Sequence, residues 1–438
     1  MKSSRFENRS EQSEPVILSE RTDVRGVVAG GTARQPVYFF AFSLLCFAYG
    51  SILLPALAPR AIRLFYQPGV LSLVHVFTLG FITSAIMGMM YAYVPALTHR
   101  SLAYPKLPLF QFAVYAIGVL GMISHFALGD WAGLWWAATV VVASVILFAI
   151  NMLPLLWTAF GRGVAETGAF AATCCLLIAA SLGLLMGLEE SRGFVFGDAV
   201  TTLGSHVIFA AIGWMTLTIC SLSYRFIPAF ALPNKRLPAI ALWQIVILAV
   251  STAGLGISLL FNLPALPVWA IASSASLAAY VLMVAMLMAS HRKFIDCSLS
   301  HSLAGIFWLV VAIALGQAVM YWGGWTPRGA PFAGALAAAA LLGWAGNFII
   351  DMSYRLLPGF VTRARKEARL PALSITELSV SHPRPFIFLG FNGGVIGIVL
   401  GFALRTPMLG AAGGWLIVGP VVLYAATGCW TLSFAYRK

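Results

Sequence analysis

Charge is scarce in this sequence. Asp, Glu, Lys and Arg make up 9% of its 438 residues, against about 25% in an ordinary soluble domain. A surface so poor in charge excludes a cytosolic enzyme and a reader of nucleic acid. The six cysteines (Cys46, Cys174, Cys175, Cys220, Cys297 and Cys429) form no CxxC pair and no CxxCH heme-attachment pattern. A disulfide-rich secreted module is therefore excluded, and the cysteines read as small apolar residues inside helices. No Walker loop, dinucleotide fingerprint or HExxH occurs, so nucleotide-driven transport and zinc proteolysis lack support. A cleavable signal is missing too, because residues 1–36 are largely polar and mixed in charge; they predict a disordered cytoplasmic tail.

Apolar residues are plentiful, at 60% of the chain with a mean hydropathy of +0.90, which points to a protein dissolved in the lipid bilayer. Stretches long enough to span it recur near 37–58, 70–97, 108–128, 134–160, 168–188 and 200–231. Six more lie near 239–262, 266–290, 301–323, 332–360, 386–404 and 411–435. The fold class expected is an all-α polytopic membrane protein with twelve transmembrane helices, its membrane domain running over 37–438. Turn-like or charged separators lie between them, among them Pro105-Lys106, Glu189-Glu190-Ser191-Arg192, Pro233-Asn234-Lys235-Arg236 and His291-Arg292-Lys293.

The net charge of +13 follows from topology. With the N-terminus in the cytoplasm, 20 of the 27 Lys and Arg fall on the cytoplasmic side. Only Arg60, Arg63, Arg192, Arg328 and Arg405 fall outside, while Arg225 and Arg355 lie within helices. The positive-inside rule thus predicts a bacterial-type inner membrane protein with both termini in the cytoplasm. Boundary aromatics such as Trp131, Trp135, Trp136, Trp322 and Trp325 read as an interfacial belt.

One pattern occurs three times. Gly80-Phe81 leads to Tyr91 and Pro95-Ala96-Leu97. Gly213-Trp214 leads at the same spacing to Tyr224 and Pro228-Ala229-Phe230, and Gly343-Trp344 to Tyr354 and Pro358-Gly359-Phe360. The prolines are 133 and 130 residues apart, so each repeat holds four helices (about 37–160, 168–290 and 301–435) and the motif sits on helices two, six and ten. On an ideal helix the Gly and Tyr lie within about 20° of each other. The stripe predicts close helix approach at Gly and a helix end at Pro near the cytoplasmic face.

Twelve helices in three pseudo-equivalent arcs of four, with the text His-Val-Phe-Thr-Leu-Gly-Phe at 75–81 and the Gly-Trp starts of the later motifs, resemble subunit I of the heme-copper oxidase superfamily. The nitric-oxide-response NnrS family is a more distant likeness. The resemblance implies electron transfer, respiration-linked redox chemistry or nitric-oxide handling, and other respiratory-chain subunits as partners. It also implies ligands on helices two, six and ten. Carried over, His75 on helix two is the first choice for a b-type heme ligand, and His206 on helix six occupies the place of a metal ligand. His125 on helix three inherits no family role and is a third candidate, as an unexpected second ligand. His75 lies about 140° and His206 about 20° from their own Gly–Tyr stripes on ideal helices, so they are expected to face different neighbours.

Most of the family's other ligands are missing. Span 239–262 has no histidine, Ala338 and Leu336 stand where helix ten would match His75 and His206, and position 210 is Ala. Copper is therefore not expected, and neither is oxygen reduction; a heme-dependent oxidoreductase is the most the resemblance supports. The structural alternative for each histidine is a hydrogen bond to backbone. His99, His291, His301 and His382 are expected to be solvated among basic loops. Within the spans, Asp351 lies four residues before Arg355, so the two can pair; Arg225 has the same place after its Tyr, and Ala92 stands there in the first repeat. These charges read as snorkelling groups or as a polar inlet for protons or a solute. A cofactor-free transporter or channel, and an assembly subunit of a respiratory complex, are the alternatives.

Overall fold

The computed structural model describes residues 35–193, 198–231, 239–289 and 297–437. The predicted tail lies outside these residues through position 34, as do His291 and the basic separators around 232–238 and 290–296. Twelve of the described helices are long and apolar enough to cross a membrane. They are α1 (Gln35–Arg63), α2 (Pro68–Thr98), α3 (Leu107–Leu128), α4 (Leu134–Trp157), α5 (Val164–Arg192) and α6 (Ala199–Ile227). The rest are α7 (Ile240–Leu260), α8 (Leu266–Ala289), α9 (Leu299–Trp322), α10 (Ala330–Glu367), α11 (Arg384–Ala403) and α12 (Pro407–Ser433). The protein is an all-α integral membrane protein.

Two boundary expectations need correction. The separator Glu189–Arg192 belongs to α5, whose last turn it forms. Glu and Arg favour the helix as much as Leu does, and Arg192 finds the Trp135 ring 5.1 Å away. Nor does Pro358 end its helix, which continues to Glu367. A proline removes one backbone hydrogen bond. The extension beyond it is anchored by Arg365, whose guanidinium donates to the carbonyls of Pro371, Phe434 and Arg437.

The three motif helices form the centre. Each of α2, α6 and α10 has 72% of its most apolar window buried, whereas the other nine range from 22% to 56%. Consecutive helices pack around them, and α12 closes the series by lying along α1. Each motif helix also contains one π-helical segment: Val76–Thr83, Ile208–Thr216 and Ala339–Gly346. All three enclose the Gly-aromatic pair of their repeat. A π turn bonds i to i+5 and is rare, so its recurrence at the same place is a second, structural sign of the threefold repeat.

The glycines do what the spacing predicted. A Cβ on Gly80 would sit 2.8 Å from the Cβ of Cys46, and one on Gly213 would sit 2.6 Å from that of Cys175. One on Gly343 would strike the Trp308 ring 2.5 Å away. These partners belong to α1, α5 and α9, the first helix of each repeat. Backbone-close contact of this kind is how helices associate in lipid, where apolar burial offers little driving force.

Candidate functional site

The motif tyrosines anchor polar networks that mark the first two repeats as relatives. Tyr91 donates to Gln111 Oε1 (3.4 Å), and Gln111 donates to Ser144 Oγ at 2.7 Å. In the second repeat Tyr224 donates to Gln244 (3.0 Å), which donates to Ser276 Oγ at 3.1 Å. The signal was available in the sequence, because each Gln follows its Tyr by twenty residues inside an otherwise apolar span. The third repeat departs from this: Tyr354 lies under the Arg384 guanidinium at 4.5 Å and against the Tyr424 ring at 5.7 Å.

His75 ends the α-helical part of α2 just before its π segment. Its Nδ1 lies 2.8 Å from the carbonyl oxygen of Leu71, and its ring stacks on Phe126 at 4.7 Å. A carbonyl only accepts, so Nδ1 carries the proton and Nε2 keeps a lone pair in the neutral ring. His206 on α6 repeats this arrangement, with Nδ1 2.8 Å from the carbonyl of Ala179 on α5. Gly183, one turn on, leaves room for the ring, because a Cβ there would lie 3.1 Å from its Cε1. The two rings have different neighbours, as expected: His75 has Leu71 and Phe126, whereas His206 has Ala179 and Gly183 of the adjacent helix.

His125 is placed differently. Its Nδ1 is 2.9 Å from Asp130, and its Nε2 accepts from Trp136 Nε1 at 2.7 Å. Both nitrogens are engaged where the end of α3 meets the start of α4. Of the histidines expected to be solvated, His99 and His382 are exposed. His301 is not: it is fully buried on α9.

Around His301 the third repeat gathers polar side chains that its siblings lack. Counting four and eight residues beyond the motif glycine gives Ser84 and Gly88, then Leu217 and Ser221, then Asn347 and Asp351. On the first helix the matching positions are Phe39, Gly168 and His301: Phe39 lies against Gly88, and Gly168 against Ser221. His301 Nδ1 lies 2.7 Å from Asn347 Oδ1. Asn347 donates through Nδ2 to the Gly343 carbonyl and to Asn392 Oδ1, and Asn392 donates back to Asn347 Oδ1 at 3.0 Å. Trp308 Nε1 completes the network on Asn392 Oδ1 at 3.1 Å.

One turn further along α10, the buried carboxylate of Asp351 accepts from Ser302 and from Arg355 Nε, the latter at 3.0 Å. The expected Asp351–Arg355 pairing is present. Arg225, the counterpart in the second repeat, is exposed, and the residue four before it is Ser221. Sequence reasoning missed His301 because it adjoins a basic loop. Its partner Asn347 is 46 positions away in the chain, too far for any local pattern to register.

Among the described residues no group of three His, Cys, Asp or Glu side chains is arranged to hold a metal ion. Compared with known proteins, the chain matches no family model. No curated protein matches it in sequence.

Proposed function

We propose that the protein is a heme-binding membrane protein built like subunit I of the heme-copper oxidases, in three four-helix arcs. The observation that carries this reading is the shared posture of His75 and His206. Each fixes its ring by donating Nδ1–H to a backbone carbonyl and so keeps an Nε2 lone pair. A metal-ligating histidine is held in this way by its surroundings. The donor set suits a heme, since a neutral imidazole whose Nδ1–H is held by a carbonyl presents Nε2 as an axial ligand. A bound heme would supply one-electron chemistry. The role proposed is electron transfer, respiration-linked redox chemistry or nitric-oxide handling, in a bacterial-type inner membrane with both termini cytoplasmic and with other respiratory subunits as partners.

What this chain's own residues do is hold and orient. Leu71 and Ala179 set the tautomer, Phe126 covers one face of the His75 ring, and the surrounding apolar helices exclude water. A reduced-minus-oxidised visible spectrum of the purified full chain tests the reading, with heme quantified per chain. About one heme per chain, lost in His75→Ala and lost or spectrally shifted in His206→Ala, is the expected result. His125→Ala is expected to keep the spectrum. Colourless, well-folded protein made with ample heme would overturn the reading and put a cofactor-free transporter or assembly subunit in its place.

A further inference from the structure

The heme reading leaves the third repeat's buried cluster unused. His301 is 0% exposed and its Nε2 has no hydrogen-bond partner among the described residues. Asn347 Oδ1 also accepts from Asn392, and Asn347 Nδ2 is committed to the Gly343 carbonyl. The amide orientation is therefore settled, and His301 Nδ1 must donate. Nε2 is left as a buried acceptor facing no donor, an arrangement that is costly unless used. The Phe388 and Tyr354 rings, 5.1 Å and 6.2 Å from the imidazole, enclose it.

A route leads toward it from the Arg- and Lys-rich end of the bundle. A cavity of about 20 Å³ is lined in part by Ser353, Tyr354, Arg384 and Tyr424, which is room for about one water molecule. Tyr354 borders both this cavity and His301. Ser353 and Tyr424 share a hydrogen bond of 2.8 Å on its wall. Beside the route, on the same helix, lies the carboxylate of Asp351, whose field favours positive charge nearby.

We propose that His301 is the proton-accepting residue of an inlet in the third repeat, loaded through the water-sized cavity and Tyr354 and stabilised by Asp351. A proton is the ligand suited to a fully enclosed nitrogen, since it requires no space. In the step itself a hydronium at the cavity gives a proton to the Tyr354 hydroxyl oxygen as the hydroxyl's own proton passes to Nε2, so that water, an unchanged tyrosine and an imidazolium result; release reverses it. Of the titratable and charged groups among the described residues, Tyr354 from α10 faces the imidazole, Arg384 from α11 lies over the Tyr354 ring, and Asp351, bonded to Ser302 beside His301 and paired with Arg355, lies one turn from Asn347. Asp351, beside Ser302 and four residues beyond Asn347, is the carboxylate placed to favour the imidazolium. The corresponding positions in the other repeats, Phe39 with Gly88 and Gly168 with Ser221, have neither imidazole nor carboxylate. The inlet is thus a property of one repeat and stands independently of heme.

The test is 15N solid-state NMR of the histidine-labelled full chain in phosphatidylcholine–phosphatidylglycerol vesicles. Seven histidines contribute, and His301→Gln identifies the resonance that disappears. In the wild type that signal is expected to pass from the Nδ1–H tautomer to imidazolium as the pH falls from about 8 to about 5. Asp351→Asn is expected to lower the imidazolium-to-neutral ratio about tenfold at a given pH. Asn347→Asp, which puts a carboxylate on Nδ1, should raise it. If His301→Gln fails to fold, the resonance that Asn347→Asp drives toward imidazolium serves as the assignment. A buried histidine signal that stays neutral throughout, or that responds to neither substitution, overturns the proposal whether or not heme is present.

Discussion

The second and third repeats start from the same motif and end with different interiors. In the second, Tyr224 bonds to Gln244 and on to Ser276, a neutral network; Ser221 donates to the Thr218 carbonyl of its own helix. In the third, no glutamine follows, and the same depth of the helix carries Asn347 and the Asp351–Arg355 pair facing a buried histidine. A repeated helix pair can therefore keep its packing (glycine against the first helix, π segment, tyrosine) while its buried polar atoms are reassigned. Packing ties the three copies together and polarity sets the third apart.

The sharpest way to break this contrast is to remove its charge. Asp351→Leu leaves Arg355 and Ser302 without their acceptor in a buried setting, and breaking such a pair costs about 3–5 kcal/mol. Ser221→Ala at the matching position removes one intrahelical hydrogen bond and should cost about 0.5–1.5 kcal/mol at most. Reversible unfolding in mixed micelles of the two variants measures the gap. Equal losses would mean that the third repeat's charges are snorkelling groups and that its difference from the second is superficial.

The packing half of the comparison predicts likeness. Alanine at Gly80, Gly213 or Gly343 drives a Cβ to within 2.8, 2.6 and 2.5 Å of a first-helix side chain. Overpacking on this scale costs about 1–3 kcal/mol. All three should lose stability, with Gly343→Ala losing most because its obstacle is the Trp308 ring. Gly359→Ala is the internal control. A Cβ there meets nothing within 4 Å, so removing a helical glycine should stabilise by about 0.5–1 kcal/mol. The same unfolding assay reads all four, and a neutral Gly213→Ala would detach the second repeat from the shared packing scheme.

These contrasts also show what the sequence could disclose. Hydropathy located all twelve spans, since each must bury its backbone within itself in lipid, and fixed spacing located the motif helices. The π segments were illegible: Val76–Thr83 reads as an ordinary apolar stretch. His301 was misjudged for the complementary reason. Its neighbour in sequence is a basic loop, whereas its partners Asn347 and Asp351 arrive from α10 through tertiary packing. Asn347 and Asn392 were visible as amides in apolar spans, yet only the fold reveals that each satisfies the other.

The smallest expected effect lies in the helical turn (Ile375–Leu378) that the third repeat inserts between its second and third helices. Ser374 and Glu377 form a capping box there: the Ser374 backbone N–H donates to Glu377 at 2.7 Å, and the Glu377 N–H to Ser374 Oγ at 3.2 Å. The Ser374 backbone N–H, followed by its hydroxyl, holds the Glu377 carboxyl below its usual range. A carboxylate depressed on folding contributes while ionised, above its unfolded pKa, and the contribution is lost as the pH falls through the folded value. The protection of the Leu378 amide against hydrogen exchange, relative to the intrinsic rate at each pH, should therefore fall slightly in acid; its carbonyl accepts from Thr431 and its side chain is buried. Ser374→Ala should lower that protection at neutral pH and flatten its acid dependence. An unchanged acid profile in that variant would show that the turn is held by its buried leucine and that this insertion, unlike the interior of the repeat, carries no charge-dependent structure.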